Sequence, residues 1–212
     1  MRITIVYDNT AYDQRLKADW GFACLLETGK ENILFDTGAN AQILLDNMEK
    51  LSISPQQVDK VVISHDHWDH TGGLSRFLSQ ATVPVYLPDP FAGKPSTGEV
   101  SQVLGRTSVS DGVYSTGTLK HIEQSLVVES RDGLVVIAGC AHPGVPEILQ
   151  AASEKGKVTA LIGGLHGFSD FKAVEDLNTI CATHCTQYQG KLWSLYPDKM
   201  IAGGAGQVIE IL

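Results

Sequence analysis

No stretch of this 212-residue chain approaches the ~20 consecutive apolar residues that a spanning helix requires, so no membrane partner is expected. The N-terminus, MRITIVYD, has neither the apolar h-region nor the small-residue cleavage site of a signal peptide, and a cytoplasmic protein is expected. Cysteine is scarce. Four residues without a secretory signal do not suggest a disulfide framework. Positive charge is scarce too, with 16 Lys and Arg against 24 Asp and Glu and a formal net charge of −8. A surface of that sign suits phosphate backbones poorly, which sets nucleic acid aside as a partner. Repeats, low-complexity tracts and linkers are also missing. Hydrophobic residues at 43% and charged residues at 19% are ordinary globular values that exclude wholesale disorder. The length fits one domain spanning 1–212. Histidine is absent from the first 64 residues, yet seven follow: His65, His67, His70, His121, His142, His166 and His184.

Periodicity and punctuation organise the chain. Residues 2–7, 21–27 and 32–36 read as strands, with Gly29-Lys30 turning between the second and third. Apolar residues at 43, 44, 45, 48 and 51 predict a helix over 40–51, and Ser54-Pro55 is a further helix start. Val61-Val62-Ile63 reads as a short strand buried on both faces, and a helix over 74–80 follows Gly72-Gly73. The stretch 84–120, rich in Pro, Gly and Ser, reads as loop. Strands at 125–130 and 134–138 form a hairpin through Arg131-Asp132-Gly133. A helix over 146–155, a strand over 158–162, helices near 171–180 and 187–195, and strands at 199–202 and 207–211 complete the reading. The histidines fall in loops after strands rather than on helix faces.

The segment Ser64-His65-Asp66-His67-Trp68-Asp69-His70 carries most of the chemistry. In an extended or tightly looped backbone, positions 65 and 67 point the same way, so two imidazoles reach one metal ion. Asp69 and His70 lie past the turn and can face a second ion. A lone loop histidine is usually solvated or caps a helix. Three histidines and two aspartates in six residues would repel one another if protonated, and metal ligation is the better reading. Asp66 is either solvent-exposed or a catalytic base.

The HxHxDH pattern followed by Thr71-Gly72-Gly73 resembles the metallo-β-lactamase superfamily. Asp8-Asn9, Trp20-Gly21-Phe22, Leu34-Phe35-Asp36-Thr37-Gly38, Gly139-Cys140-Ala141-His142-Pro143-Gly144, Ile162-Gly163-Gly164-Leu165-His166 and Thr183-His184-Cys185-Thr186 are similar to one branch of it. That branch is named for the dihydropterin-ribofuranosylaminobenzene-phosphate synthase. The resemblance implies an α/β fold, a four-layer αβ/βα sandwich with a dinuclear site at one edge. It also implies that His65, His67 and His142 hold the first ion and Asp69, His70 and His184 the second. Asp36 would orient a ligand from the outer shell, as metal-bound imidazoles require.

Other positions stay open. The carboxylate that bridges the ions in many superfamily members has no obvious counterpart, because the comparable strand ends in Gly139-Cys140. Cys140 reads as a soft ligand, a redox-sensitive neighbour or, preferably, a buried small residue. His142 either caps a helix entry or, preferably, binds metal. His166 binds metal or substrate, acts as a general acid, or is an ordinary loop residue. His121 reads as surface. Cys181, His184 and Cys185 make an incomplete zinc knuckle, which is discounted. Ala202 to Gly206 reads as a turn rather than a phosphate loop. Lys94, Arg106 and Lys120 are solvated by default, or meet an anionic substrate.

The leading expectation is a metal-dependent hydrolase that activates water, with Asp69 orienting it and Asp66 or His166 moving a proton, against an ester, lactone or phosphoester. One or two divalent ions are expected. Three imidazoles lean toward zinc, while a mixed His/Asp set also takes manganese, iron or magnesium. The substrate is expected to be a small molecule, with anions among the candidates. The alternatives are a synthase acting on a phosphorylated pterin-type substrate, which the short middle region fits less well, and a non-catalytic metal-binding sensor.

Overall fold

The computed structural model describes residues 1–93, 95 and 98–211. Its chain forms two mixed sheets. The first has seven strands: β1 (Arg2–Tyr7), β2 (Ala23–Glu27), β3 (Asn32–Phe35), β4 (Lys60–Val62), β5 (Val85–Pro88), β6 (Val100–Val103) and the last strand, β13 (Val208–Glu210). Their order is β13-β1-β2-β3-β4-β5-β6. The second has six: β7 (Thr107–Ser110), β8 (Val113–Ser115), β9 (Leu126–Ser130), β10 (Gly133–Ala138), β11 (Val158–Gly164) and β12 (Thr179–Thr183), ordered β12-β11-β10-β9-β8-β7.

Side-chain alternation builds the layers. Ile3, Ile5, Phe35 and Val62 face Leu126, Val128, Val135, Ile137 and Ile162 across the space between the sheets. The intervening residues Val6, Leu34, Val61 and Ile63 point outward, under Ile43, Leu44 and Met48 of α1 (Ala41–Lys50) and Leu74, Phe77 and Leu78 of α3 (Leu74–Leu78). On the opposite side Val136, Leu161 and Ile180 are covered by Val145, Ile148 and Ala152 of α4 (Val145–Ser153) and Leu192 of α5 (Gln189–Leu195). The result is helices, sheet, sheet, helices: an αβ/βα sandwich. Strands buried on both faces lose their polar alternation, which is why Val61-Val62-Ile63 carries no polar residue. The entry to α1 is fixed locally, since Asn40 Oδ1 accepts the Gln42 and Ile43 N–H groups.

Four expectations are corrected. The stretch 84–120 contains β5, β6, β7 and β8. These strands of three or four residues sit among Pro and Gly; β5 is held by a neighbour distant in sequence, Val85 beside Val61, whereas β7 and β8 form a local hairpin with Thr107 opposite Ser115. No helix covers 171–180. A 3₁₀ turn over Phe171–Val174 gives way to β12, where parallel pairing with β11 overrides local preference. Residues 199–202 make only an isolated bridge, Met200 with Ile180. His70 lies on a one-turn helix, α2 (Trp68–Thr71), rather than in a loop. The expectation for Lys94 falls outside the described residues.

Strands β1, β3, β4, β10, β11 and β12 all present their carboxyl ends at one edge of the sandwich. Asp8, Asp36, His65, Cys140, His166 and His184 follow those strands closely in sequence, and loops at such edges carry chemistry in α/β folds.

Candidate metal centre

Two groups of side chains converge at this edge. The rings of His65, His67 and His142 lie within 4.5–4.9 Å of one another, centroid to centroid. Asp69 Oδ2 lies 3.8 Å from His70 Nε2 and 3.5 Å from His184 Nε2. The His65 and His70 rings, 4.1 Å apart, join the two groups. All six residues of the expected ligand set are therefore brought together.

In four of the histidines the ring nitrogen pointing away from the cluster is tied down. Glu123 Oε2 accepts from His142 Nδ1 at 2.9 Å, Asp36 Oδ2 from His70 Nδ1 at 2.7 Å, and Asn9 Oδ1 from His184 Nδ1 at 2.9 Å. Ser64 Oγ spends its proton on Asp36 Oδ2, so it accepts from His65 Nδ1 at 2.8 Å. Each Nδ1 thus carries the proton and each Nε2 keeps its lone pair, that of His70 meeting the Cys140 thiol at 3.2 Å. Among the described residues His65 Nε2 and His184 Nε2 are buried without a hydrogen-bond partner, with Asp69 Oδ2 standing 3.5 Å from the latter. Orphaned buried nitrogens are costly, and a divalent cation is the partner that this donor set fits.

Strained backbone shapes the loops at this edge. Asp36, Ala141, His166 and His184 all have φ between 45° and 59°, the left-handed region that non-glycine residues rarely enter. Surrounding bonds hold these loops. Glu123 Oε1 accepts the N–H groups of Gly139, Cys140 and Ala141, and Oε2 that of His142. Asp8 accepts from the Thr183 hydroxyl and the His184 N–H. A Cβ at Gly139 would stand 2.2 Å from Ser64 Oγ, so only glycine lets this loop approach the first ligand strand.

The electrostatics follow. Burial and the charges of their histidine neighbours hold both His65 and His70 down to about 3, so they are neutral and able to ligate. Burial would raise Glu123, but its bond to His142, the His65 ring and the 139–142 backbone hold it down to about 2. Burial pushes Asp36 up to about 7 against the pull of His65 and Ser64. Asp69, in spite of its burial, is held well below the usual carboxylate range by His184 and His70.

The remaining expected residues are scattered around this centre. Cys140 is buried as read from the sequence, but its Sγ sits 3.2 Å from His70 Nε2 and 3.3 Å from Cys185 Sγ. Asp66 is exposed and accepts the Ala92 N–H at 2.7 Å. It lines a 300 Å³ cleft with His65, His67, Phe91, His121 and Ile122, so the surface residue His121 borders the centre. His166 is exposed, its ring 5.1 Å from that of His142, in a second cleft of 410 Å³ with Leu165 and Phe168. Arg106 turns away to Ala151 O and Glu154. Lys120 binds Pro143 O and Glu147. Cys181 lies in the inter-sheet core, away from any knuckle.

Sequence reasoning missed Glu123 and gave no role to Asn9, Asp8, Ser64 or Trp20, whose Nε1 donates to Asp69 Oδ2 at 2.9 Å. Glu123, Gln124 and Ser125 form an unbroken polar run before an apolar strand, and all three are buried. That run was the available signal.

The family model of the metallo-beta-lactamase superfamily matches residues 21–155. A 7,8-dihydropterin-6-methyl-4-(beta-D-ribofuranosyl)-aminobenzene-5'-phosphate synthase of Methanocaldococcus jannaschii is 25% identical, covering 89% of this chain and 88% of that protein. The alignment spans 258 positions, longer than this chain, so that relative carries insertions absent here. The solved structure of Tm1679, a metal-dependent hydrolase of the beta-lactamase superfamily, aligns with a TM-score of 0.79 at 25% identity over 100% of this chain and 99% of its own. Human tRNase Z, short form, aligns with a TM-score of 0.68 at 17% identity over the full length of both chains, a likeness of fold alone.

Proposed function

The chain belongs to the metallo-beta-lactamase superfamily, and from that premise we propose that it is a metal-dependent hydrolase acting on an ester, lactone or phosphoester. His65, His67 and His142 would hold one divalent ion, and Asp69, His70 and His184 would hold a second. The observation that carries this reading is the set of four tied Nδ1 atoms, which leaves the Nε2 lone pairs of His65 and His184 buried without a hydrogen-bond partner among the described residues. When bound, divalent ions supply Lewis acidity and water of lowered pKa.

The chain's own residues do the rest. Glu123 and Asn9 fix the tautomers of His142 and His184, and the Trp20 indole N–H holds the Asp69 carboxylate in place. His166, exposed beside His142, is placed to give a proton to a leaving group. Asp66 is bonded to the Ala92 N–H and is the weaker candidate for that work. The two clefts flanking the centre offer apolar walls, Phe91 and Ile122 on one side and Leu165 and Phe168 on the other. Arg106 and Lys120 are committed to other carboxylates, so an anionic substrate would draw its attraction mainly from the ions.

The synthase of M. jannaschii favours a second reading, bond formation on a phosphorylated pterin-type substrate. Elemental analysis of the purified protein, with a screen of esters, lactones, phosphodiesters and a dihydropterin pyrophosphate, separates the two. Bound metal with ester or lactone turnover supports hydrolysis, and pterin condensation alone replaces it with the synthase. Purified protein without metal, unchanged by His67→Ala, sinks both.

A further inference from the structure

Cys140 is the one side chain common to both groups of closely spaced donors found among the described residues: His65, Cys140 and His142, and His70, Cys140 and His184. Within each group the donor atoms lie no more than 4.8 Å apart. The two buried ring nitrogens that lack any partner, His65 Nε2 and His184 Nε2, belong one to each group. No carboxylate takes this central place. Glu123 is committed to the 139–142 backbone and to His142, and Asp69 lies on the His70–His184 side.

We propose that Cys140 Sγ is the bridging ligand of the dinuclear centre, a thiolate shared by both ions. The inference rests on the two-ion reading above and extends it. On metal entry the Cys140 S–H bond breaks, its proton leaves to solvent, and the sulfur lone pairs go to the ions; nothing is oxidised or reduced. Cys185 Sγ, 3.3 Å away and half-buried, is placed to donate its S–H to the thiolate and offset part of the charge. A shared soft donor makes the centre select zinc, cobalt or iron(II) over magnesium.

Cobalt(II) titration of the full-length, metal-free, reduced protein tests this, because thiolate ligation adds a near-ultraviolet charge-transfer band to the visible d–d bands. The expected result is a band that grows over both the first and the second equivalent and is undiminished by excess magnesium. It should disappear in Cys140→Ser and Cys140→Ala, which still bind cobalt, and persist in Cys185→Ser. Cobalt bound by the wild-type protein with d–d bands alone would overturn sulfur ligation and leave the metal centre standing. A band complete at one equivalent would overturn the bridge, as would a band lost only in Cys185→Ser. Failure of the wild-type protein to take up cobalt would overturn the metal centre and this inference together. The wild-type spectrum decides between these outcomes even if a Cys140 variant fails to fold.

Discussion

Replacing Glu123 by Gln changes neither shape nor volume appreciably, yet it strikes both stability and ligand geometry. The carboxylate accepts four backbone N–H groups and the His142 ring. A glutamine amide must turn its NH₂ toward donors on one side or the other, leaving buried N–H groups facing each other. The protonation balance sets the scale. A carboxyl held at about 2 in the folded protein against an ordinary value of 4.5 corresponds to about 3 kcal/mol of stability. The folded value is the depressed one, so this contribution is complete above 4.5 and disappears as pH falls toward 2. Urea denaturation of metal-free wild-type and Glu123→Gln proteins should therefore differ by about 3 kcal/mol at neutral pH and converge in acid. Part of the rise of Asp36 comes from the Glu123 charge, so the variant also relieves Asp36, and that relief offsets a part of the loss. A difference below ~1 kcal/mol, or one that stays flat with pH, would refute this account of Glu123.

Asn9→Ala removes the acceptor that fixes the His184 tautomer, and loss of such a partner typically weakens metal affinity about 10–100-fold. Competitive chelator titration should show that loss at the second ion only. His166→Ala should lower kcat at unchanged metal content if the ring is a proton donor; reduced metal content would instead make it a ligand. Gly163→Ala puts a Cβ 1.9 Å from Ala138 O at φ +117°, so β10 and β11 must separate. Thermal unfolding should show a loss of several kcal/mol, on the order of 3 or more, the tail of single-substitution effects.

Much of the architecture was legible because local pattern and tertiary demand agree. The apolar stripe of 43, 44 and 48 is the buried face of α1, and Val61-Val62-Ile63 is buried on both sides. The segment 171–180 was misread because Asn178 and Thr179 join a sheet whose other strands lie far off in sequence. Of the short strands over 84–120, β5 depends on distant pairing with β4, while β7 and β8, three or four residues each in a local hairpin, are too short to show a period. The candidate ligands could be named in advance because imidazole and carboxylate spacing in the 65–70 segment is itself a chemical statement. The residues that orient them could not, since Glu123, Asn9 and Ser64 are ordinary polar residues until folding places an acceptor beside each Nδ1.

The sequence alone determined that candidate metal ligands cluster at 65–70, with further histidines at 142 and 184, and that strands and helices succeed one another along the chain. These are properties of composition and short-range period, whereas the layered sandwich came from the resemblance that the motifs carry. The tertiary structure decided which ring nitrogen is tied down in His65, His70, His142 and His184, that the buried Cys140 belongs to both groups of closely spaced donors, and that Arg106 and Lys120 are occupied elsewhere. Those outcomes depend on distances of a few ångströms between residues as far apart as Asn9 and His184, and no local pattern encodes them.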